Sequence, residues 1–199
     1  MGPWAGRDTD EEALENIKDT MHLHASLILN VMQKRPDFSF MIRIEGIDNQ
    51  SLELEILNYQ FPEIVIEEYD ANWLNIYFKI DSKFGKWHTA HACLLTWEVQ
   101  EIINWLKSLA NYEKVRNEIS FIEPNLTIKK LAENDEIIRL RFIFDYELRP
   151  KKATGNLECN EDIEYYMDCD LKRNELNKLA KNFEAELLKF PERVYRGKN

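Results

Sequence analysis

After Met41, apolar and polar residues take turns along most of the chain. Ile42 and Ile44 alternate with Arg43 and Glu45, and Leu52, Leu54 and Ile56 alternate with Glu53 and Glu55. A period of two puts successive side chains on opposite faces of a strand. The pattern therefore predicts a hairpin around Gly46-Ile47-Asp48-Asn49, with one face on a core and Glu53 and Glu55 on a solvated face. Leu74, Ile76, Phe78 and Ile80 predict a third strand, and Trp87 to Cys93 a fourth. Ile119 to Ile122 and Leu126 to Ile128 predict short strands flanking Pro124-Asn125. Ile138, Leu140, Phe142, Phe144, Tyr146 and Leu148 predict the longest strand, and Glu164 to Cys169 a further one.

Three segments switch to helical spacing. Over residues 9 to 35, Leu14, Ile17, Met21, His24, Ile28 and Val31 recur three or four apart. Thr9 and Glu12 fit a capping box at the start of that segment, and Pro36 ends it. The second helix runs from about Thr96, a candidate N-cap, to Tyr112. It buries Val99, Ile102, Ile103, Leu106, Leu109 and Ala110. The third runs from about Leu171 to Phe190 and buries Leu176, Leu179, Ala180, Phe183 and Leu187 before Pro191.

This order lacks the βα alternation of a parallel sheet. It predicts an α+β fold: a mainly antiparallel β-sheet of about seven to eight strands with two packed helices, preceded by an N-terminal helix. The expected division is an N-terminal helical extension over 1–40, a single α+β domain over 41–193 and a tail over 194–199.

Composition narrows the function classes. The 199 residues include 26 basic and 36 acidic ones, a net charge of −10. Such a chain repels phosphate backbones and acidic membrane surfaces, and it attracts a basic protein partner. No uncharged apolar run approaches the roughly 20 residues of a membrane span. Three cysteines (Cys93, Cys159 and Cys169) and an acidic start without a leader pattern predict a reducing, cytoplasmic setting.

Recognisable catalytic chemistry is sparse. His88 and His91 point to opposite faces of a strand, and His91 with Cys93 makes two ligands where zinc takes three or four. His22 and His24 lie about 200° apart around a helix and cannot share an ion. No phosphate-binding glycine loop, no activated cysteine and no nucleophile–base pattern is present, so no metal, cofactor or catalytic residue is expected. Two acidic clusters stand out: Glu63, Glu67, Glu68 and Asp70 before the third strand, and Glu158, Glu161, Asp162, Glu164, Asp168 and Asp170 around the last strand. Each is either a solvated surface or a contact for a basic partner, and Asp168 and Asp170 could instead supply negative charge to the N-terminus of the last helix. Trp97 lies nearly opposite the stripe of its helix, which makes it either a residue packed under a loop or a partner anchor. From the residues alone, a small enzyme and an adaptor assembled through the N-terminal helix both stay open.

Several segments, in order, resemble the WapI-like family of immunity proteins of bacterial polymorphic, contact-dependent toxin systems. They are Asp70-Ala-Asn-Trp-Leu-Asn-Ile-Tyr-Phe-Lys-Ile80, Ala92-Cys-Leu-Leu-Thr-Trp-Glu-Val-Gln-Glu-Ile-Ile-Asn-Trp-Leu106, Phe121-Ile-Glu-Pro-Asn-Leu126, Tyr146-Glu-Leu-Arg-Pro150 and Lys189-Phe-Pro-Glu-Arg193. The resemblance covers about residues 41–193. It implies a cytoplasmic protein that binds and neutralises a cognate toxin domain, often a nuclease with a basic surface, without nucleic acid or membrane as partner. The motif residues, Trp73 and Trp97 among them, read as fold signatures, and no contact set comes with the resemblance. The candidate toxin-binding residues are therefore the acidic ones: Glu63, Glu67, Glu68, Asp70, Glu158, Glu161, Asp162 and Glu164. The N-terminal segment lies outside the resemblance, and its apolar stripe is a candidate homodimer contact.

Overall fold

A computed structural model describes residues 41–151 and 162–193. The predicted N-terminal helix, and any dimer contact through it, lie outside the described residues, as do the 194–199 tail, Cys159, Glu158 and Glu161. The described elements are β1 (Ile42–Glu45), β2 (Ser51–Tyr59), β3 (Trp73–Ser82), β4 (Gly85–Leu95), α1 (Thr96–Ala110), β5 (Glu118–Ser120), β6 (Leu126–Glu133), β7 (Ile137–Phe144), β8 (Tyr165–Lys172) and α2 (Arg173–Leu187). The fold is α+β, with eight strands and two helices among the described residues.

The strands form two sheets rather than one. β1-β2-β3-β4 make the first and β5-β6-β7-β8 the second, antiparallel throughout. The division has a covalent cause. Within each sheet the strands follow one another directly, but α1 intervenes between β4 and β5. β5 therefore starts a new sheet, and β4 meets the turn after β7 instead: Trp87 Nε1 donates to the Leu148 carbonyl at 2.8 Å, and Thr89 Oγ1 to that of Glu147 at 3.1 Å.

One face of each sheet supplies the core. Ile44, Leu52, Ile80 and Trp87 stand in one cross-strand row, and Leu126, Phe144 and Tyr165 in another. All are buried in a single apolar cluster with Ile102, Leu106, Leu176 and Phe183 from the helices. Full burial of each such side chain contributes roughly 1.5–3 kcal/mol. Gly46 has no room for a side chain: a Cβ there would stand 2.8 Å from the Gln50 Cβ and 3.0 Å from the Asp168 carbonyl oxygen.

Several local expectations change. The strand predicted through Leu148 ends at Phe144, because Tyr146 takes a left-handed φ of 48° and turns the chain. β4, with 11 residues, is the longest strand. Thr96 is the first helical residue of α1 rather than its cap. The Glu98 carboxylate supplies the cap, accepting the Leu95 N–H at 2.8 Å. Glu175 does the same for Lys172 at 2.7 Å, so α2 starts at Arg173 and not at Leu171. Finally, Glu53 and Glu55 are buried (8% and 6% exposed) and not solvated. Glu53 stands in register between Arg43 and Lys79, and both cations bond its carboxylate from either side.

Candidate partner-binding surface

The segment joining β2 to β3 carries the first acidic cluster, and buried polar groups hold it from beneath. Asn72 is fully buried at its end. Its Nδ2 donates to the Glu68 carbonyl at 2.8 Å. Its Oδ1 accepts from Thr96 Oγ1 at 3.1 Å and from the Arg193 N–H at 2.9 Å. Its own carbonyl accepts the Thr96 N–H. One side chain thus joins the loop, the first turn of α1 and the segment after α2. Arg193 adds a second tie. Its guanidinium donates to the Phe61 and Ile64 carbonyls at 3.0 and 2.7 Å and stacks 3.4 Å over the Tyr59 ring. Tyr59 in turn donates to the Pro191 carbonyl and meets Phe190 edge-on.

The same logic links the remaining motif segments. Glu98 is 4% exposed and accepts the N–H groups of Leu95 and Ile122, each at 2.8 Å. Burial raises its pKa above the ordinary carboxylate value, and those two hydrogen bonds work in the opposite direction. Asn125 is 1% exposed and donates to Glu147, while its carbonyl accepts the Asp145 N–H at 2.8 Å. The motifs that carry the family resemblance are therefore the places where one buried polar side chain closes contacts between distant segments. A buried hydrogen-bonding group left unpaired costs about 1–3 kcal/mol, which explains why these residue types sit there.

On this support the loop exposes both charge and apolar surface. Glu63, Glu67 and Glu68 are exposed and Asp70 is half-buried. Glu63, Glu67 and Asp70 form no ion pair among the described residues. Between them Ile66 is 84% exposed, Val65 54% and Tyr69 47%. The Tyr69 ring meets Trp97 edge-on at 5.7 Å. Trp97 is half-buried under the loop, and it lines a groove of about 510 Å3 with Gln100, Leu188, Pro191 and Glu192.

The second acidic cluster has a different setting. Arg141 donates to both carboxylate oxygens of Asp168 at 2.7 and 2.9 Å, reaches Glu164 at 3.4 Å and stacks 3.6 Å from the Tyr166 ring. Arg139 grips Asp170 with two bonds of 2.7 Å and holds its pKa below the usual carboxylate value. Asp162 is exposed at the start of this region.

His88 is exposed and stacks obliquely with Tyr77, while His91 faces Ile76 in register and is half-buried. Burial pushes the Cys93 thiol up, and that of Cys169 to about 12. Among the described residues no three His, Cys, Asp or Glu side chains are grouped to hold a metal, and no helix is long and apolar enough to cross a membrane.

The residues that sequence reasoning missed are Asn72 and Arg193 as anchors, and Ile66 and Leu188 as exposed apolar groups. Both anchors lie inside quoted motifs. Nothing in a linear pattern pairs positions 72 and 193.

A search of curated proteins finds no match to this chain. The sequence profile of the immunity protein WapI-like family matches residues 43–191. That match takes in strands of both sheets, both helices, and Asn72, Glu98 and Asn125, and the chain belongs to the WapI-like family of immunity proteins.

Proposed function

We propose that the protein binds and neutralises a cognate toxin domain with a basic surface, a nuclease, in the cytoplasm of the bacterium that produces both. The observation that carries this reading is the loop over residues 61–72. On a fold of the immunity family, it holds Glu63, Glu67 and Asp70 without an ion pair among the described residues, beside exposed apolar side chains. Fixed negative charge steers a basic partner in, and apolar groups next to it hold the partner once docked. Glu63, Glu67, Glu68 and Asp70 are the leading contacts. Glu158, Glu161, Asp162 and Glu164 form a second set, tested separately. The role is binding rather than catalysis.

The test starts from the neighbouring genes: where one encodes a large secreted protein, its C-terminal domain is expressed as the candidate toxin. Co-expression of the full chain restores growth of cells making that domain, and the purified chain suppresses its cleavage of nucleic acid. An adjacent toxin domain that kills equally well with and without the chain, and does not bind it, would falsify the reading.

A further inference from the structure

We infer that the partner docks on one continuous surface at the N-terminal end of α1, placing an apolar anchor in the groove between α1 and the end of α2 and Lys or Arg side chains against the acidic loop. This inference rests on the immunity reading above and assigns it a surface and a mode of contact.

Continuity comes from three ties. Tyr69 of the loop touches Trp97 of the groove. Arg193 holds the loop carbonyls two residues beyond the groove residue Pro191. Asn72 bonds both α1 and Arg193. The apolar content is unusual for a surface. Leu188 is 82% exposed on the groove wall, and Ile66 is 84% exposed on the loop. Apolar residues clustered inside a polar rim mark interaction sites, whereas single scattered ones do not.

Charge selects the occupant. Glu192 on the groove rim, like Glu63, Glu67 and Asp70 on the loop, forms no ion pair among the described residues. The nearby cations are committed: Lys107 to Glu184, Lys189 to Glu186, and Arg193 to backbone carbonyls and the Tyr59 ring. A second copy of this chain, with a net charge of −10, would oppose acid to acid there, and so would a nucleic acid. The surface fits a protein segment carrying a bulky aliphatic or aromatic side chain flanked by Lys or Arg. Because the loop is tied down before binding, little ordering cost falls on association.

The experiment measures affinity of the full chain for the candidate toxin domain of the test above, by titration calorimetry, with Leu188→Lys and Ile66→Lys. Both positions are exposed enough for the fold to tolerate Lys, and unchanged thermal melting confirms it. The control is Leu131→Lys at an exposed site of β6. That strand end lies by the C-terminus of α1, since Arg173 bonds both the Leu109 carbonyl and Glu133. The expected result is affinity weakened about 30-fold or more by each of the first two changes, the scale of an interface hot spot, with Leu131→Lys binding like the unmodified chain. Equal binding by all four proteins overturns the surface assignment and leaves the immunity reading standing, and so does a loss shared by Leu131→Lys. An unmodified chain that neither binds nor protects overturns the immunity reading and the surface with it.

Discussion

On the outer face of the second sheet, Asp168 and Asp170 each receive two hydrogen bonds from an arginine one strand away. In the loop between β2 and β3, Glu63, Glu67 and Asp70 pair with no described cation. In the sequence the two regions look alike, since each is a run of acidic residues near a strand end. The difference lies in periodicity. A strand repeats every two residues, and antiparallel register sets Arg139 opposite Asp170 and Arg141 opposite Asp168. Glu63, Glu67 and Asp70 in the loop have no such neighbour among the described residues, so their charges stay available to a partner. Acidic residues in a β protein therefore report on a binding surface only after cross-strand register has claimed its share.

Breaking the anchor under the loop has the largest expected effect. Asn72→Ala removes three hydrogen bonds of a fully buried side chain and strands the Arg193 amide and the Thr96 hydroxyl, at a cost of about 3 kcal/mol read by urea denaturation. A loss under about 1 kcal/mol would show that the loop does not depend on this tie. Charge reversal on the loop comes next. Glu63→Lys with Glu67→Lys leaves stability within about 0.5 kcal/mol, yet slows association with a basic toxin domain by about tenfold or more at low salt. An on-rate that does not move makes these carboxylates mere solvated surface.

The second sheet supplies the opposite test. Arg141→Met keeps an apolar cover on Tyr166 and leaves Asp168 without its partner. We expect a stability loss of about 1–2 kcal/mol and unchanged affinity for the toxin domain. Weakened binding instead would move the interface to this face and to Asp162 and Glu164.

The smallest effect is on pH dependence, where two acids pull in opposite directions. Asp170 sits below the ordinary carboxylate value because Arg139 bonds it. Its contribution to stability is present above its unfolded pKa and is lost as pH falls through the lowered folded one. Glu98 sits above the ordinary value because it is buried. Around it the folded state binds the extra proton, so stability declines as pH rises from the unfolded value to the raised one. Asp170→Asn should flatten the acid limb of a stability–pH curve and leave the Glu98 limb in place. Denaturation midpoints between about pH 3 and pH 7 check this against the ordinary carboxylate range. An acid limb that stays as steep in Asp170→Asn assigns that limb to other carboxylates.

Much of the fold was legible because its signals are local. The alternation of Leu74, Ile76, Phe78 and Ile80 marked β3, and the stripe from Val99 to Ala110 marked α1, since burial on one face leaves a period in the chain. The break at Tyr146 was hidden: apolar alternation continues to Leu148, yet a single left-handed residue redirects the backbone. Burial of Glu53 was hidden for a related reason. Alternation places it on the outer face, but its depth depends on Arg43 and Lys79 arriving from two neighbouring strands. At the candidate site, the acidic loop residues were visible as a cluster. Their apolar companions, and the Trp97 groove beside them, were not.

The sequence by itself determined the family, the α+β class, nearly all the strands and both helices of the described region, and a negative balance that favours a basic partner. Each of these is a sum or a short-range period that survives in one dimension. Only the tertiary structure decided that the strands divide into two sheets, that Asp168 and Asp170 meet arginines while Glu63, Glu67 and Asp70 meet no described cation, and that Asn72 and Arg193 fasten the loop beside an open apolar groove. Those outcomes depend on which distant segments meet. Hydrogen-bond partners 121 residues apart, as Asn72 and Arg193 are, leave no period in the chain that joins them.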